Sequence, residues 1–119
     1  MTCWLISSIE RTVTNIFAPQ IPGVDLVVRP VGKHRSSRIQ AFKLHDEVYK
    51  GMWIAPGIAP LLESDQSESD RVIAWISPYQ KSRVVAIQPG HGAEAHENAI
   101  YRKLVHNAIL CTAGRLPEE

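Results

Sequence analysis

The most promising candidate for a catalytic group is a histidine. It directly follows a segment that predicts a strand and a turn. Residues 83–87 are rich in β-branched apolar side chains, which predicts a buried strand, and Pro89-Gly90 ends it with a turn. His91 comes next, and Glu94 follows three residues later. Because ligands bind beyond the carboxyl ends of strands in open α/β sheets, His91 and Glu94 are candidate catalytic residues and Gly90 a candidate binding residue. Alternatively, His91 is a polar loop residue whose ring bonds a nearby carbonyl.

Residues 45–53 form the second chemically rich segment. It contains an imidazole, two carboxylates, a phenol and an indole, from His45, Asp46, Glu47, Tyr49 and Trp53. Carboxylates can bond sugar hydroxyls or hold an imidazole in one tautomer, and aromatic rings stack on sugars or fill cores. The first four residues are therefore candidate substrate-binding residues. The alternative is that Asp46 or Glu47 caps a turn while Tyr49 and Trp53 pack in the core.

Neither segment has the spacing of a metal site. His45 and Asp46 are adjacent, so a strand would point them to opposite faces. His91 and His96 are one residue further apart than the histidine pair that binds zinc on one helix face. We therefore predict no metal and no other cofactor.

Length, charge and composition limit the class of protein. The 119 residues suit one domain, and the 45% apolar content argues against wholesale disorder. The net charge is only +1, and charged residues of both signs are spread along the chain. The sequence therefore lacks the excess of positive charge that is typical of proteins that bind nucleic acid or an anionic membrane, and we expect neither as a partner. No segment has transmembrane or signal-peptide character. The two distant cysteines, Cys3 and Cys111, suit a reducing compartment, so we expect a cytoplasmic protein.

The first half of the chain predicts strands behind a weak amino-terminal element. Residues 1–23 indicate a marginal amphipathic helix or a loose arm, ended by prolines and a glycine. Residues 24–31 are dense in β-formers, and residues 39–44 predict a short extended piece with Phe42 and Leu44 facing inward. The basic loop 32–38 between them is either a solvated turn or a site that attracts an anion.

The second half predicts strands and then a helix. Residues 58–64 and 71–76 have strand character, and so few residues join the latter to the strand before His91 that the two should form an antiparallel hairpin. Apolar residues recur at helical spacing over residues 98–113, and Gly114 is placed to end that helix. The predicted class is α/β, with a mixed sheet that includes an antiparallel hairpin and a carboxyl-terminal helix packed on one face.

Several of these motifs occur in an order that resembles a known family. They are His45-Asp46-Glu47-Val48-Tyr49, Val72-Ile73-Ala74-Trp75 with Tyr79, Arg83-Val84-Val85 leading to Gly90-His91, and the helix from Tyr101-Arg102-Lys103-Leu104 to Ala113-Gly114-Arg115. In this order they resemble the carboxyl-terminal half of the ThuA-like family, the trehalose-utilisation type proteins. The resemblance covers about residues 24–115, so we divide the chain into an arm, 1–23, and a ThuA-like domain, 24–119. It implies part of a class I glutamine amidotransferase-like (flavodoxin-like) fold.

The resemblance also implies a role in carbohydrate metabolism, with a small saccharide as the partner. His91 would be a general acid/base or a hydroxyl donor, and residues 45–49 would line the pocket. His91 matches the histidine of the amidotransferase His-x-Glu pair, and Glu94 lies one residue from the expected carboxylate. No cysteine here lies on a nucleophile elbow, so we expect no amidotransferase activity.

The alternative function is a truncated, catalytically silent remnant. Members of the family begin with alternating strands and helices that carry a glycine-rich turn, and residues 1–23 contain nothing of that kind. Losing half of a central sheet would expose a strand edge and an apolar face, and such surfaces commonly bind other protein chains. The chain would then act as an interaction module or as a subunit of a homo-oligomer.

Overall fold

Five strands and two helices make up the part of the chain that the computed structural model describes, residues 20–77 and 81–116. The strands are β1 (Gln20–Pro30), β2 (Phe42–Tyr49), β3 (Ala59–Ser64), β4 (Val72–Ser77) and β5 (Val84–Ile87). The helices are α1 (Ala93–Glu97) and α2 (Ala99–Thr112), and a 3-10 turn, Arg35–Ser37, lies between β1 and β2. The sheet order is β2-β1-β3-β4-β5. The predicted combination of α and β structure, with a carboxyl-terminal helix, is confirmed.

All pairings between the described strands are antiparallel. The predicted hairpin is β4–β5, which pairs from Ala74↔Ile87 to Ser77↔Val84. The prediction of a sheet that mixes parallel and antiparallel strands is wrong for these strands. Parallel neighbours need a crossover of a dozen or more residues, and the three neighbouring pairs that are also consecutive in the chain, β1–β2, β3–β4 and β4–β5, have shorter connections than that.

Strand β1 begins earlier than the sequence pattern indicated. Residues 20–23, expected to close the amino-terminal arm, already belong to the strand, and Gln20 pairs with Tyr49. The register shifts between Ile21 and Val24, and such a bulge accommodates Pro22 and Gly23 within the strand. The weak helix expected over Met1–Phe17 lies outside the described residues.

Buried and exposed side chains alternate along the strands, and this places the main core on one face of the sheet. Residues 26 and 28 of β1 and residues 42, 44 and 48 of β2 are buried there, while their neighbours face the other way. Phe42 and Leu44 face inward, as predicted. Helix α2 packs on this face through the buried residues Tyr101, Leu104 and Ala108. The stripe at helical spacing thus covers the core, as amphipathic helices do.

A smaller cluster occupies the other face at β4 and β5. Trp75 and Ala86 are buried there beneath Met52 and Ile54 of the loop that follows β2. Trp53, between those two residues, is 49% exposed, so it does not pack in the core as the alternative interpretation had it. No helix in residues 20–77 and 81–116 is long and apolar enough to cross a membrane.

Backbone and side-chain caps fix both ends of α2. Asn98 precedes it, and its Oδ1 accepts the N–H groups of Ile100 and Tyr101 at 2.9 and 3.1 Å. At the other end Gly114, with φ +70°, is in the left-handed region that glycine adopts without strain. Its N–H and that of Arg115 reach back to the carbonyls of Cys111 and Leu110, which is a Schellman motif.

Candidate functional site

The two chemically rich segments of the sequence meet at one place on strand β2. The Gly90 N–H donates to Asp46 Oδ2 at 2.6 Å, and His91 Nδ1 lies 2.7 Å from Glu47 Oε2. Gly90 follows the edge strand β5, whereas Asp46 and Glu47 belong to β2 at the opposite edge of the sheet. The sheet is therefore curled enough for the loop after β5 to reach β2.

The pleat of β2 sends its two carboxylates to opposite faces. Asp46 is 4% exposed, on the core face with Leu44 and Val48, whereas Glu47 shares the other face with His45 and Tyr49. Asp46 Oδ1 also accepts the N–H of Glu47 at 2.9 Å. The buried carboxylate thus bonds the backbone on both sides of the site. It holds the turn.

Three side chains lock the turn that presents His91. Besides the bond from Gly90 to Asp46, the Gly90 carbonyl accepts a hydrogen bond from His96 Nε2 at 2.8 Å. The buried Tyr101 hydroxyl donates to the Pro89 carbonyl at 3.1 Å. Gly90 has φ +121°, and a Cβ there would collide with that hydroxyl, so this position requires glycine.

Burial and the nearby carboxylates raise the pKa values of both phenols of the site, Tyr49 and Tyr101. Burial, followed by the Glu47 charge, raises the pKa of Tyr49. Burial, followed by the Asp46 charge, raises the pKa of Tyr101. Both phenols therefore keep their protons at neutral pH and act as hydrogen-bond donors.

Three side chains form the centre of the site: the imidazole of His91, the carboxylate of Glu47 and the phenol of Tyr49. We call them the imidazole–carboxylate pair and its phenol. The Glu47 side chain is 8% exposed, while that of His91 is 66% exposed. Tyr49 Oη lies 3.4 Å from Glu47 Oε2, at the long limit of a hydrogen bond. His91 Nε2 has no hydrogen-bond partner among the residues that the structure describes. The arrangement is a buried carboxylate that orients an imidazole whose second nitrogen is open to a ligand.

His45 forms a second imidazole–carboxylate contact on the same face of β2. Its Nδ1 lies 2.6 Å from Oδ1 of Asp25, its cross-strand neighbour on β1. The hydrogen bond to Asp25, with the charges of Asp25, Glu94 and Asp46 behind it, raises the pKa of His45. The pair borders an open groove of about 490 Å³, which Lys43 and Gln66 also line.

The structure brings most of the predicted site residues together but gives them different tasks. His91, Gly90, Glu47 and Tyr49 are adjacent, and Asp46 supports them from the core side. Glu94 is exposed on α1, where its charge acts on His45, and the carboxylate that pairs with His91 is Glu47. The sequence marked Glu94 as a candidate catalytic residue because it follows His91 by three positions, near the carboxylate position that the resemblance implies.

Sequence reasoning missed three residues that shape the site. Tyr101 and His96 hold the turn, and Asp25 holds His45. Tyr101 looked like one more residue of the helix, and His96 had been considered only as a metal ligand. No local signal marks Asp25, because its contact with His45 depends on the register between β1 and β2.

Comparisons of the chain with known proteins found no relative. No protein-family model, no curated protein and no solved structure matches the chain. Within the described residues, no group of three or more His, Cys, Asp or Glu side chains is placed to hold a metal ion.

Proposed function

We propose that this chain is a ThuA-like domain that binds or processes a small saccharide at the imidazole–carboxylate pair and its phenol. The observation that carries the proposal is the 2.7 Å contact between His91 Nδ1 and Glu47 Oε2. Both residues belong to motifs of the resemblance, and they are 44 positions apart in the chain. Their meeting supports a common site. A cytoplasmic location remains part of the same proposal.

The pair is suited to proton transfer with a sugar hydroxyl. With Glu47 ionised, His91 donates its Nδ1 hydrogen to the carboxylate, so Nε2 carries the lone pair and can accept a proton from a hydroxyl. The imidazolium that forms is stabilised by Glu47, and it can return the proton to a leaving oxygen. Tyr49, kept protonated, donates to Glu47 and limits the rotation of its carboxylate.

Amidotransferase activity is not part of the proposal. Of the two cysteines, Cys111 lies near the end of α2, without the sharp turn and adjacent base that a nucleophile needs. We infer that β4, β5, the His91 turn and α2 correspond to the carboxyl-terminal portion of a class I glutamine amidotransferase-like (flavodoxin-like) fold. The antiparallel hairpin followed by a helix supports this, whereas parallel pairing, which defines the rest of that fold, is not found among the described strands.

A thermal-shift screen with trehalose, sucrose, glucose and their oxidised derivatives tests the proposal. A ligand that binds the folded state raises its melting temperature in a saturable way. We expect one of these sugars to do so in the wild type, and His91→Ala and Glu47→Gln to abolish the shift. His106→Ala is the matched control, since His106 is exposed on α2 and contacts no residue of the site.

A variant that folds poorly could also lose the thermal shift, so a second measurement uses the wild type alone. In NMR spectra of the wild type, the bound sugar should perturb the imidazole signals of His91 and leave those of His106 in place. The proposal is wrong if no sugar produces a saturable shift, or if His91→Ala binds as tightly as the wild type.

The catalytically silent interaction module is the second candidate, and exposed groups favour it. Trp53 is 49% exposed, and both β2 and β5 end the sheet with one unpaired side among the described strands. Such edges and aromatic side chains are common at interfaces between subunits. Sizing at several concentrations distinguishes the candidates, because a stable oligomer without any sugar response supports the module and a sugar-responsive monomer contradicts it.

A further inference from the structure

The open groove beside His45 lies on the same face of β2 as the imidazole–carboxylate pair. Its volume is about 490 Å³, and Lys43 and His45 line it together with Asp65 and Gln66, which follow β3. Residues 43, 45, 47 and 49 alternate with buried residues, so their side chains form a row on one face of the strand. Alternate residues of a strand are about 7 Å apart. The groove therefore begins one step along the row from Glu47, and we call it the β2 groove.

The loop that carries His91 also comes near the β2 groove. The hydrogen bond to Asp25 is the largest cause of the raised pKa of His45, and the charge of Glu94 contributes to it as well. Glu94 follows His91 by only three positions in the chain. Because exposed charges act on each other over short distances, Glu94 lies in the neighbourhood of His45. A ligand held at His91 can therefore extend along β2 into the groove.

Backbone contacts fix the polar wall of the β2 groove. Asp65 Oδ1 accepts the Val27 N–H at 2.8 Å, and Gln66 Nε2 donates to the Asp25 carbonyl at 2.5 Å. The remaining oxygens, Oδ2 of Asp65 and Oε1 of Gln66, have no hydrogen-bond partner among the described residues. Two acceptors are thus held in place before a ligand arrives, which lowers the entropic cost of binding.

The charges that line the β2 groove are of both signs. Asp25 and Asp65 contribute carboxylates, and Lys43 contributes an ammonium group that has no hydrogen-bond or ion-pair partner among residues 20–77 and 81–116. The charge of Glu94 adds to the negative side. These carboxylates would repel an anionic group, whereas an uncharged ring can donate its hydroxyls to them and accept a hydrogen bond from Lys43. The wall therefore suits a neutral ring that carries hydroxyl groups.

We propose that the β2 groove holds a second, uncharged sugar ring, so that the ligand has at least two rings and extends from His91 to Lys43. The inference rests on the saccharide proposal, because the first ring is the one bound at the imidazole–carboxylate pair. Lys43 donates to hydroxyls of the second ring, and Asp65 Oδ2 accepts from them. These residues do not touch the reacting atoms. They select the length and the charge of the ligand.

Calorimetry with sugars of one and two rings tests the assignment. We expect the wild type to bind trehalose or sucrose at least about fivefold more tightly than glucose, because hydrogen bonds to charged groups are the strong ones. The same comparison is made with glucuronate and with trehalose that carries a carboxylate on each ring. Oxidation should weaken the two-ring ligand more than it weakens glucose, since the carboxylates of the β2 groove repel the second charge.

Two variants separate the β2 groove from the imidazole–carboxylate pair. Lys43→Met and Asp65→Asn should each weaken the two-ring sugar at least about fivefold and leave the affinity for glucose unchanged. Asn at position 65 still offers an oxygen to the Val27 N–H. Lys103→Met is the matched control, since Lys103 is exposed on α2 and does not line the groove. In NMR spectra of the wild type, the two-ring sugar should perturb the amide signals of Lys43 and Gln66, which glucose should leave in place.

Failure of this inference can be distinguished from failure of the saccharide proposal. The second ring is ruled out, and the His91 site retained, if glucose binds as tightly as the two-ring sugars or if folded Lys43→Met keeps the wild-type ratio of the two affinities. An equal loss in Lys103→Met also rules it out, because it would indicate a general effect of charge. A doubly oxidised trehalose that binds more tightly than trehalose contradicts the uncharged ring. The absence of binding by every sugar overturns both proposals.

Discussion

Asp46 and Gly90 join opposite edges of the sheet through one hydrogen bond. Asp46 Oδ2, on β2, accepts the Gly90 N–H, beyond β5, at 2.6 Å, and the carboxylate is buried on the core side. On the far side of the same strand, Glu47 pairs with His91. The loop therefore contacts both faces of the edge strand, and the position of His91 depends on the buried Asp46 as well as on Glu47.

Replacing Asp46 by Asn should destabilise the fold and loosen the His91 loop. Asn offers one acceptor oxygen where the carboxylate bonds two backbone N–H groups, Gly90 and Glu47. Leaving a buried donor without a partner costs roughly 1–3 kcal/mol. Urea unfolding measures the change, with the exposed Glu68→Gln as a control that should stay near the wild type. A loss as small as that of the control would contradict the role given to Asp46.

Alanine at Gly90 should be much more harmful than alanine at Gly92. Gly90 has φ +121° and faces the Tyr101 hydroxyl, whereas a Cβ on Gly92 would meet nothing within 4 Å. We expect Gly90→Ala to lose roughly 1–3 kcal/mol of unfolding free energy from backbone strain alone, with the collision added to it. Thermal unfolding of both variants measures the difference. Adding Tyr101→Phe to Gly90→Ala should recover part of the loss, and equal stabilities of the two alanine variants would contradict the geometry.

Changing Asp25 to Asn should lower the pKa of His45. The hydrogen bond from His45 to Asp25 is the largest cause of its raised pKa, and Glu94 adds a smaller contribution. NMR titration of the His45 ring should give a pKa above 6.5 in the wild type, a clear decrease in Asp25→Asn and a smaller one in Glu94→Gln. An unchanged pKa in Asp25→Asn would show that the contact does not persist in solution.

The same contact gives the stability of the protein a pH dependence of known sign. The folded pKa of His45 lies above its unfolded value, so the folded state holds the proton more tightly. The stabilisation is fully present below the unfolded pKa of 6.5, while Asp25 stays ionised, and it is lost as the pH rises through the folded pKa. The difference in unfolding free energy between wild type and Asp25→Asn should therefore shrink between pH 6 and 8.

Substitutions at Asn98 separate its two contacts. Its Oδ1 caps α2, and its Nδ2 donates to the Lys43 carbonyl on β2 at 3.3 Å. Asn98→Ala removes both and should cost about 1 kcal/mol, as lost N-caps do. Asn98→Asp keeps the cap and loses the donor, so it should fall between alanine and the wild type. Denaturant midpoints measure the series, and an aspartate variant as unstable as the alanine variant would show that the cap contributes little.

Local patterns in the sequence determined the elements that depend on nearby residues. The helical stripe and Gly114 predicted α2 and its end, and the short connection before residue 83 predicted the β4–β5 hairpin. The period of two along a strand separated His45 from Asp46, and these side chains do face opposite sides of β2. In each case the deciding interactions lie within one element or between neighbours in the chain.

Tertiary structure alone decided which distant residues meet. Glu47 rather than Glu94 partners His91, because the curled sheet brings the loop after β5 against β2. The partner of His45 depends on the register between β1 and β2, and a slip of one residue would send its side chain to the other face. Pro22 and Gly23, which break local patterns, lie within β1 because a bulge and pairing with β2 accommodate them. Pairing, curl and bulges arise from the packing of the whole sheet, so no local pattern specifies them.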